Sequence, residues 1–454
     1  MNYKKFSFLL ASLSMVQCFD SFAYDIEFNG SSKKVIEIPA DKNTGLEYIY
    51  VAYNVSEINE IKLSGINGTV IDVSRYSNLG GGYAEELPYT LNGNEITLTQ
   101  PEGNMGYIIR DSSGTFCFWI VDYSSMPLNL TGIVMTEEQD CESTRIRITG
   151  KGEEIHYYTI DGRQSILSRD IKISYETLQW NTQDESFDII TCEKTVNAIS
   201  DPVLLNPPLY CNTVVNVEGD RFLKAWGEYE EIESVTFAPN AVGVNSKAEQ
   251  TNITDSEEPS NMIKGDSDGL GGSAPADITF YGYTTDAVMH TEWQMASDAD
   301  FEYIIYRFNE KDVSYSFLEE GTYYMRFIGS NADGSCEAIG DTYTISIGAS
   351  DLRIPNAFSP NNDGVNDVWK VGYRSLLEFK CWIFDSKGNQ LFSFDDPSLG
   401  WDGTYRGKTV NPGVYYYVIQ ALGADGKKYK RSGDINILNY KKYGNSTGGA
   451  EELE

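Results

Sequence analysis

The chain has 454 residues, with 67 Asp+Glu against 35 Lys+Arg and a formal net charge of -32. So acidic a surface repels phosphate, which makes nucleic acid and anionic lipid poor partners, and the two isolated histidines, His156 and His290, cannot build a multi-histidine metal site. At 41% hydrophobic residues the chain is globular, and its length suits about three to five domains.

In chain order, residues 1–23 read as a signal peptide: Lys4 and Lys5 form the positive region, Phe6 to Val16 is a short apolar run, and Ser21-Phe22-Ala23 supplies a cleavage site. The run is too short to span a bilayer, and no later stretch is long and apolar enough for a transmembrane segment. Cys18 is not preceded by a small residue, so a lipid-anchored reading lacks its site.

Strand signals then dominate. Residues 24–139 read as an N-terminal β domain, with the runs Tyr48–Tyr53 (YIYVAY) and Phe116–Asp122 (FCFWIVD). Residues 140–205 read as a small β-sandwich with Ile155–Ile160 (IHYYTI) and Ile171–Tyr175 (IKISY). Cys141 and Cys192 lie at either end of that unit and are a candidate disulfide in an exported chain. After the rigid joint Asn206-Pro207-Pro208, residues 206–250 carry a further β segment. Residues 251–276 are polar, acidic and rich in Gly and Ser, which is linker composition. Turn signals such as Asn92-Gly93, Asp161-Gly162 and Asp333-Gly334 separate the strands, and no amphipathic helix of ten or more residues is found. The fold class is therefore all-β, a series of tandem antiparallel β-sandwich domains.

In residues 277–350, a strand carrying Trp293 precedes the run Asp312–Phe327, in which Gly321 turns the chain between alternating aromatics. This pattern resembles a PKD-type or immunoglobulin-like domain.

Residues 351–440 are more specific. Ile354–Trp369 reads IPNAFSPNNDGVNDVW, followed in order by Cys381–Phe392 (CWIFDSKGNQLF), Gly400–Ile419 and Gly423–Leu438. This series resembles the gliding-motility-associated C-terminal domain, the type B sorting domain of the Bacteroidetes type IX secretion system. The residues carrying the resemblance are Pro355, Asn356, Ala357, Phe358, Ser359, Pro360, Asn362, Asp363, Gly364, Asn366 and Asp367, then Trp401, Asp402, Gly403, Gly413 and Tyr415. The resemblance implies export by a signal peptide, recognition by the outer-membrane translocon, and surface display or release. Residue by residue, Pro355 and Pro360 stiffen an extended entry and NNDGVND is a turn whose side chains cap amides. Residues 441–454 form a polar tail beyond the last family strand.

Candidate chemistry is sparse. Asn361, Asp363, Asn366 and Asp367 cluster oxygen ligands around Gly364, which leaves calcium open as a cofactor, although the bidentate Glu of a calcium loop is missing. Carboxylate neighbours such as Asp298 with Asp300, or Glu153 with Glu154, lack the separation across a cleft that a glycosidase pair needs. His156 and His290 read as strand residues, and no G-x-S-x-G elbow occurs, so no catalytic residue is assigned.

These observations describe a modular surface or secreted protein, read first as a non-enzymatic adhesion or binding protein. A secreted hydrolase with an unrecognised N-terminal fold and a structural spacer are the alternatives. The charge is unevenly placed: residues 352–440 hold 11 Lys+Arg and 9 Asp+Glu, a net of +2, whereas residues 24–351 hold 20 against 54, a net of -34. Partners of the acidic part are then neutral glycans, cations or basic host or matrix proteins.

Overall fold

The computed structural model describes residues 24–251, 261–263 and 269–438. The expected signal peptide, the tail and most of the expected linker lie outside the described residues. What is described is all-β, with short helical turns only, arranged as four sandwich-like modules around four apolar clusters. Most strand pairs are antiparallel, but three are parallel, among them Tyr48–Ala52 beside Thr115–Asp122.

The first module packs a four-stranded sheet against a six-stranded one. Ile61, Leu63, Ile96 and Leu98 meet Tyr50, Ile109, Phe118 and Ile120 in its core. The strand Thr115–Asp122 explains its own sequence: it is apolar without alternation because both faces are buried. Phe116, Phe118 and Ile120 point into the first core, while Cys117, Trp119 and Val121 belong to the core of the next module. Modules one and two are thus fused through a shared wall.

The second module begins earlier and ends later than its composition suggests. Asn129–Met135, placed in the first domain by sequence, pairs with Thr144–Lys151. Asn216–Glu218 and Glu231–Glu233, placed in the separate 206–250 segment, extend the sheet of Ile171–Asn181 and Ser186–Val196. Val217, Phe222 and Phe237 complete the same core, which the 140–205 unit could not close alone. A buried network pins the two modules together: Arg169 forms an ion pair with Asp220 at 2.8 Å, and the Tyr123 hydroxyl donates to the same carboxylate. Asp220 also caps the helical turn Arg221–Ala225 through the amides of Phe222 and Leu223.

Val244–Gln250 belongs to the third module, where it pairs with Ala276–Thr284. That module is immunoglobulin-like, with Trp293 fully buried among Phe280, Phe327 and Tyr343, its indole N–H donating to the Lys311 carbonyl. Parts of the expected linker are built into the fold. Leu270–Gly272 pairs with Glu337–Ile347, and Asn261 donates to the carbonyls of Val371 and Pro397 in the fourth module.

The disulfide differs from the expected pair. Cys141 is bonded to Cys336, 195 residues away, and Cys192 is free. Cys192 lies opposite Tyr175 within its hairpin and packs on the module's own core, whereas Cys141 lies in the loop that reaches the third module. The bond therefore joins modules two and three. The long hairpin Ile171–Asn181/Ser186–Val196 adds a second clasp: Trp180 packs on Tyr283 at 4.9 Å, and Glu185 holds Lys247 at 2.5 Å.

Candidate sorting-domain site

The fourth module is a five-stranded sheet in the order Ala357–Phe358, Lys428–Ile437, Gly413–Gly423, Leu376–Phe384, Gln390–Phe394, covered on one face by loops and two short two-stranded ladders. The motif residues converge on that covered face. Ala357 and Phe358 run parallel to Asn436 and Ile437, so the entry segment is locked to the last strand. Phe358 is buried with its ring 5.6 Å from Trp401, and the Tyr415 ring stands 5.4 Å from Trp401 in an edge-on contact. Trp369 and Trp401 are both fully buried and exchange backbone hydrogen bonds of 2.8 and 3.0 Å. Their indole N–H groups are satisfied by the carbonyls of Pro355 and Thr404.

Gly403 shows why its position takes glycine. Its φ is +74°, and a Cβ there would stand 3.0 Å from Pro360 and 3.3 Å from Phe358. Asp402 caps the same turn through the amide and hydroxyl of Thr404. Gly413 opens the strand Gly413–Gly423. Trp369 and Tyr417, whose rings lie 5.5 Å apart, belong to this constellation although the sequence reading did not single them out. VYYYVI is apolar or aromatic at every position, so the sequence held no alternation to mark Tyr417 as inward.

The loop 361–367 folds around Asp367. Its Oδ1 accepts from the amides of Asn361 and Asn362 at 2.8 and 2.6 Å, and its Oδ2 accepts from the Gly364 amide at 2.7 Å. Asp363 accepts from the Val365 amide and from the Asn361 side chain. Asn362, Gly364 and Asn366 take the left-handed backbone conformations that Asn and Gly tolerate. Burial alone would raise the Asp367 pKa, but the amide donors outweigh it and hold the carboxyl below its ordinary value. The four residues considered for calcium are brought together, yet the side-chain oxygens of Asn361, Asp363 and Asp367 accept from backbone amides or from one another. A cation would have to displace those bonds, and among the described residues no group of three or more His, Cys, Asp or Glu side chains is placed to hold a metal.

The other candidates stay apart. Asp298 caps a loop through the amides of Glu302 and Tyr303. His156 lies 3.6 Å from Glu154 on a half-exposed strand, and the His290 ring meets the Ala332 carbonyl.

Elsewhere, at the junction of the first two modules, Tyr53, Tyr123 and Tyr229 line a cleft of about 480 Å³ with Glu228 and Glu230. Lys33 reaches Glu228 at 2.9 Å and lies over the Tyr53 ring. Sequence reasoning missed this site because its residues are distant in the chain.

Comparison with known families matches residues 133–234 to a fibronectin type III domain and residues 352–437 to the CHU_C type IX secretion signal domain. The first match crosses residue 205, as the sheet of the second module does. Among solved structures, a tetra-tandem repeat from the extending region of a large adhesion protein is 11% identical and covers 85% of this chain and 96% of its own, with a TM-score of 0.22. Fibronectin(III)-like modules of Clostridium thermocellum CbhA are 11% identical over 39% of this chain and 97% of theirs, with a TM-score of 0.17. Dimeric latent PorU from Porphyromonas gingivalis is 10% identical over 72% of this chain and 35% of its own, with a TM-score of 0.15. Scores this low carry no argument. No curated relative matches the chain. The chain carries a type IX secretion signal domain at its C-terminus, preceded by a fibronectin type III-like domain in an immunoglobulin-like, all-β architecture.

Proposed function

We propose that this protein is delivered to the cell surface by the type IX secretion system and there acts, without catalysis, as an adhesion or binding protein. The secretion signal domain carries the export half of the reading, since such a domain implies export to the surface or the extracellular space. The binding half is supported by modules that are joined by a disulfide, a buried ion pair and a shared core into a stiff, strongly acidic body. We place ligand contact at the tyrosine-lined cleft, where aromatic faces beside carboxylates suit a neutral glycan or a basic side chain of a matrix protein.

An array of glycans and matrix proteins probed with the full chain and with its Tyr53→Ala/Tyr229→Ala variant tests this. Binding to some members should fall at least tenfold in the variant, and binding to basic proteins should weaken with salt. Absence of binding to any member would refute the adhesion reading.

A further inference from the structure

The main sheet of the signal domain has two faces, and the domain's own core uses one. Along Leu376–Phe384, Phe379, Cys381 and Ile383 are buried inward, so Lys380 and Trp382 point outward. The neighbouring strands keep register: Lys380 stands opposite Gln420 and then Lys430, and Trp382 opposite Val418 and then Ser432. On the same outer face of Gly413–Gly423, Val414 and Tyr416 are each 46% exposed and Val418 is 36% exposed. A sheet face left to solvent ordinarily carries polar side chains. This one carries an apolar stripe instead.

Its charge is also particular. Lys380, Lys428 and Lys430 surround a shallow depression of about 590 Å³ at one end of the stripe, with Glu378 as the acid among its lining residues. The Lys380 ammonium lies 5.5 Å from the centre of the Trp382 ring. In the motif, Phe358 and Trp401 are buried, and Asp363, Asp367 and Asp402 bind the domain's own amides. Trp382, Val414, Tyr416 and Val418 take no part in the domain's core, so the stripe does no packing within it.

We propose that this outer face is where the translocon's receptor protein takes hold, through an apolar ridge rimmed by carboxylates that meet the three lysines. The inference rests on the sorting function proposed above and adds the face and the chemistry of the partner. A carboxylate-rimmed receptor is repelled by the modules of net charge -34 and attracted only at this end, which orients the chain for capture.

The test compares full-length chains in a host with a working type IX system. The variants are Trp382→Ala, Lys380→Glu/Lys428→Glu/Lys430→Glu, the milder triple Lys→Gln change at the same positions, a turn control Lys387→Glu/Lys408→Glu on an exposed turn and an exposed short hairpin of the same domain, and a chain ending at residue 350. Each full-length variant is purified and its melting temperature compared with the wild type; only those within about 2 °C are scored. Surface protein should fall at least tenfold in the face variants and accumulate in the periplasm, while the turn control matches the wild type. Face variants displayed at wild-type level, with the truncated chain retained, would overturn the face while leaving the sorting reading intact. A truncated chain that still reaches the surface would overturn both. Normal display by face variants that have lost binding to phosphatidylglycerol vesicles would assign the lysines to lipid and overturn a protein receptor.

Discussion

Asp111 shows how single carboxylates hold these loops. It is buried and accepts hydrogen bonds from the amides of Asn67, Ser113 and Gly114 and from the hydroxyls of Ser113 and Tyr24. Burial pushes its pKa up, but the donors prevail and hold it well below the ordinary carboxylate value. A pKa depressed in the folded state stabilises the fold above the unfolded value of about 3.9, and that contribution disappears as pH falls through that value and below it. Asp111→Asn should therefore melt well below the wild type at pH 7, with the gap beginning to narrow below about pH 5 and continuing to narrow below about pH 3. Melting curves across that range check it; a gap independent of pH would contradict the assignment. Asp367 obeys the same chemistry, and here the sequence was legible, because NNDGVND names both the capping side chains and the residues that tolerate left-handed turns. The Arg169–Asp220–Tyr123 network was not legible, since its members are 51 and 97 residues apart and meet only after two sheets have packed.

At the scale of strands and modules, alternation and turn signals gave the strands but not their grouping. FCFWIVD already lacked the alternation of a half-solvated strand; its two-sided burial is the physical reason, and it fuses two modules that composition separates. The disulfide was misassigned for a related reason: spacing favours a near partner, whereas loops from two modules bring Cys141 to Cys336. A cross-link over so long a loop stabilises by up to about 5 kcal/mol, chiefly by restricting the unfolded chain. Cys141→Ser/Cys336→Ser should lower the melting temperature by several degrees, and reductant should bring the wild type down to the same value. Calorimetry with and without dithiothreitol is the check; a double variant as stable as the oxidised wild type would show that the clasp of Trp180, Glu185, Lys247 and Tyr283 suffices.

For the whole molecule, the opening charge imbalance divides into two bodies of different character. Three fused and clasped modules hold nearly all the acidity, and a signal domain of net charge +2 closes the described chain. The family of that last domain was legible because its motifs are local, and each builds a local feature: a capped loop, a tryptophan pair, a glycine corner. The tyrosine-lined cleft and the outer sheet face were hidden, because each depends on which strands become neighbours. The account stands or falls on delivery by the C-terminal domain. Its most direct test is protease accessibility of the protein on intact cells, comparing the full chain with one ending at residue 350 in hosts with working and disabled type IX systems. Only the full chain in the working host should be cleaved from outside; equal cleavage of the truncated chain, or of the full chain in the disabled host, would contradict it.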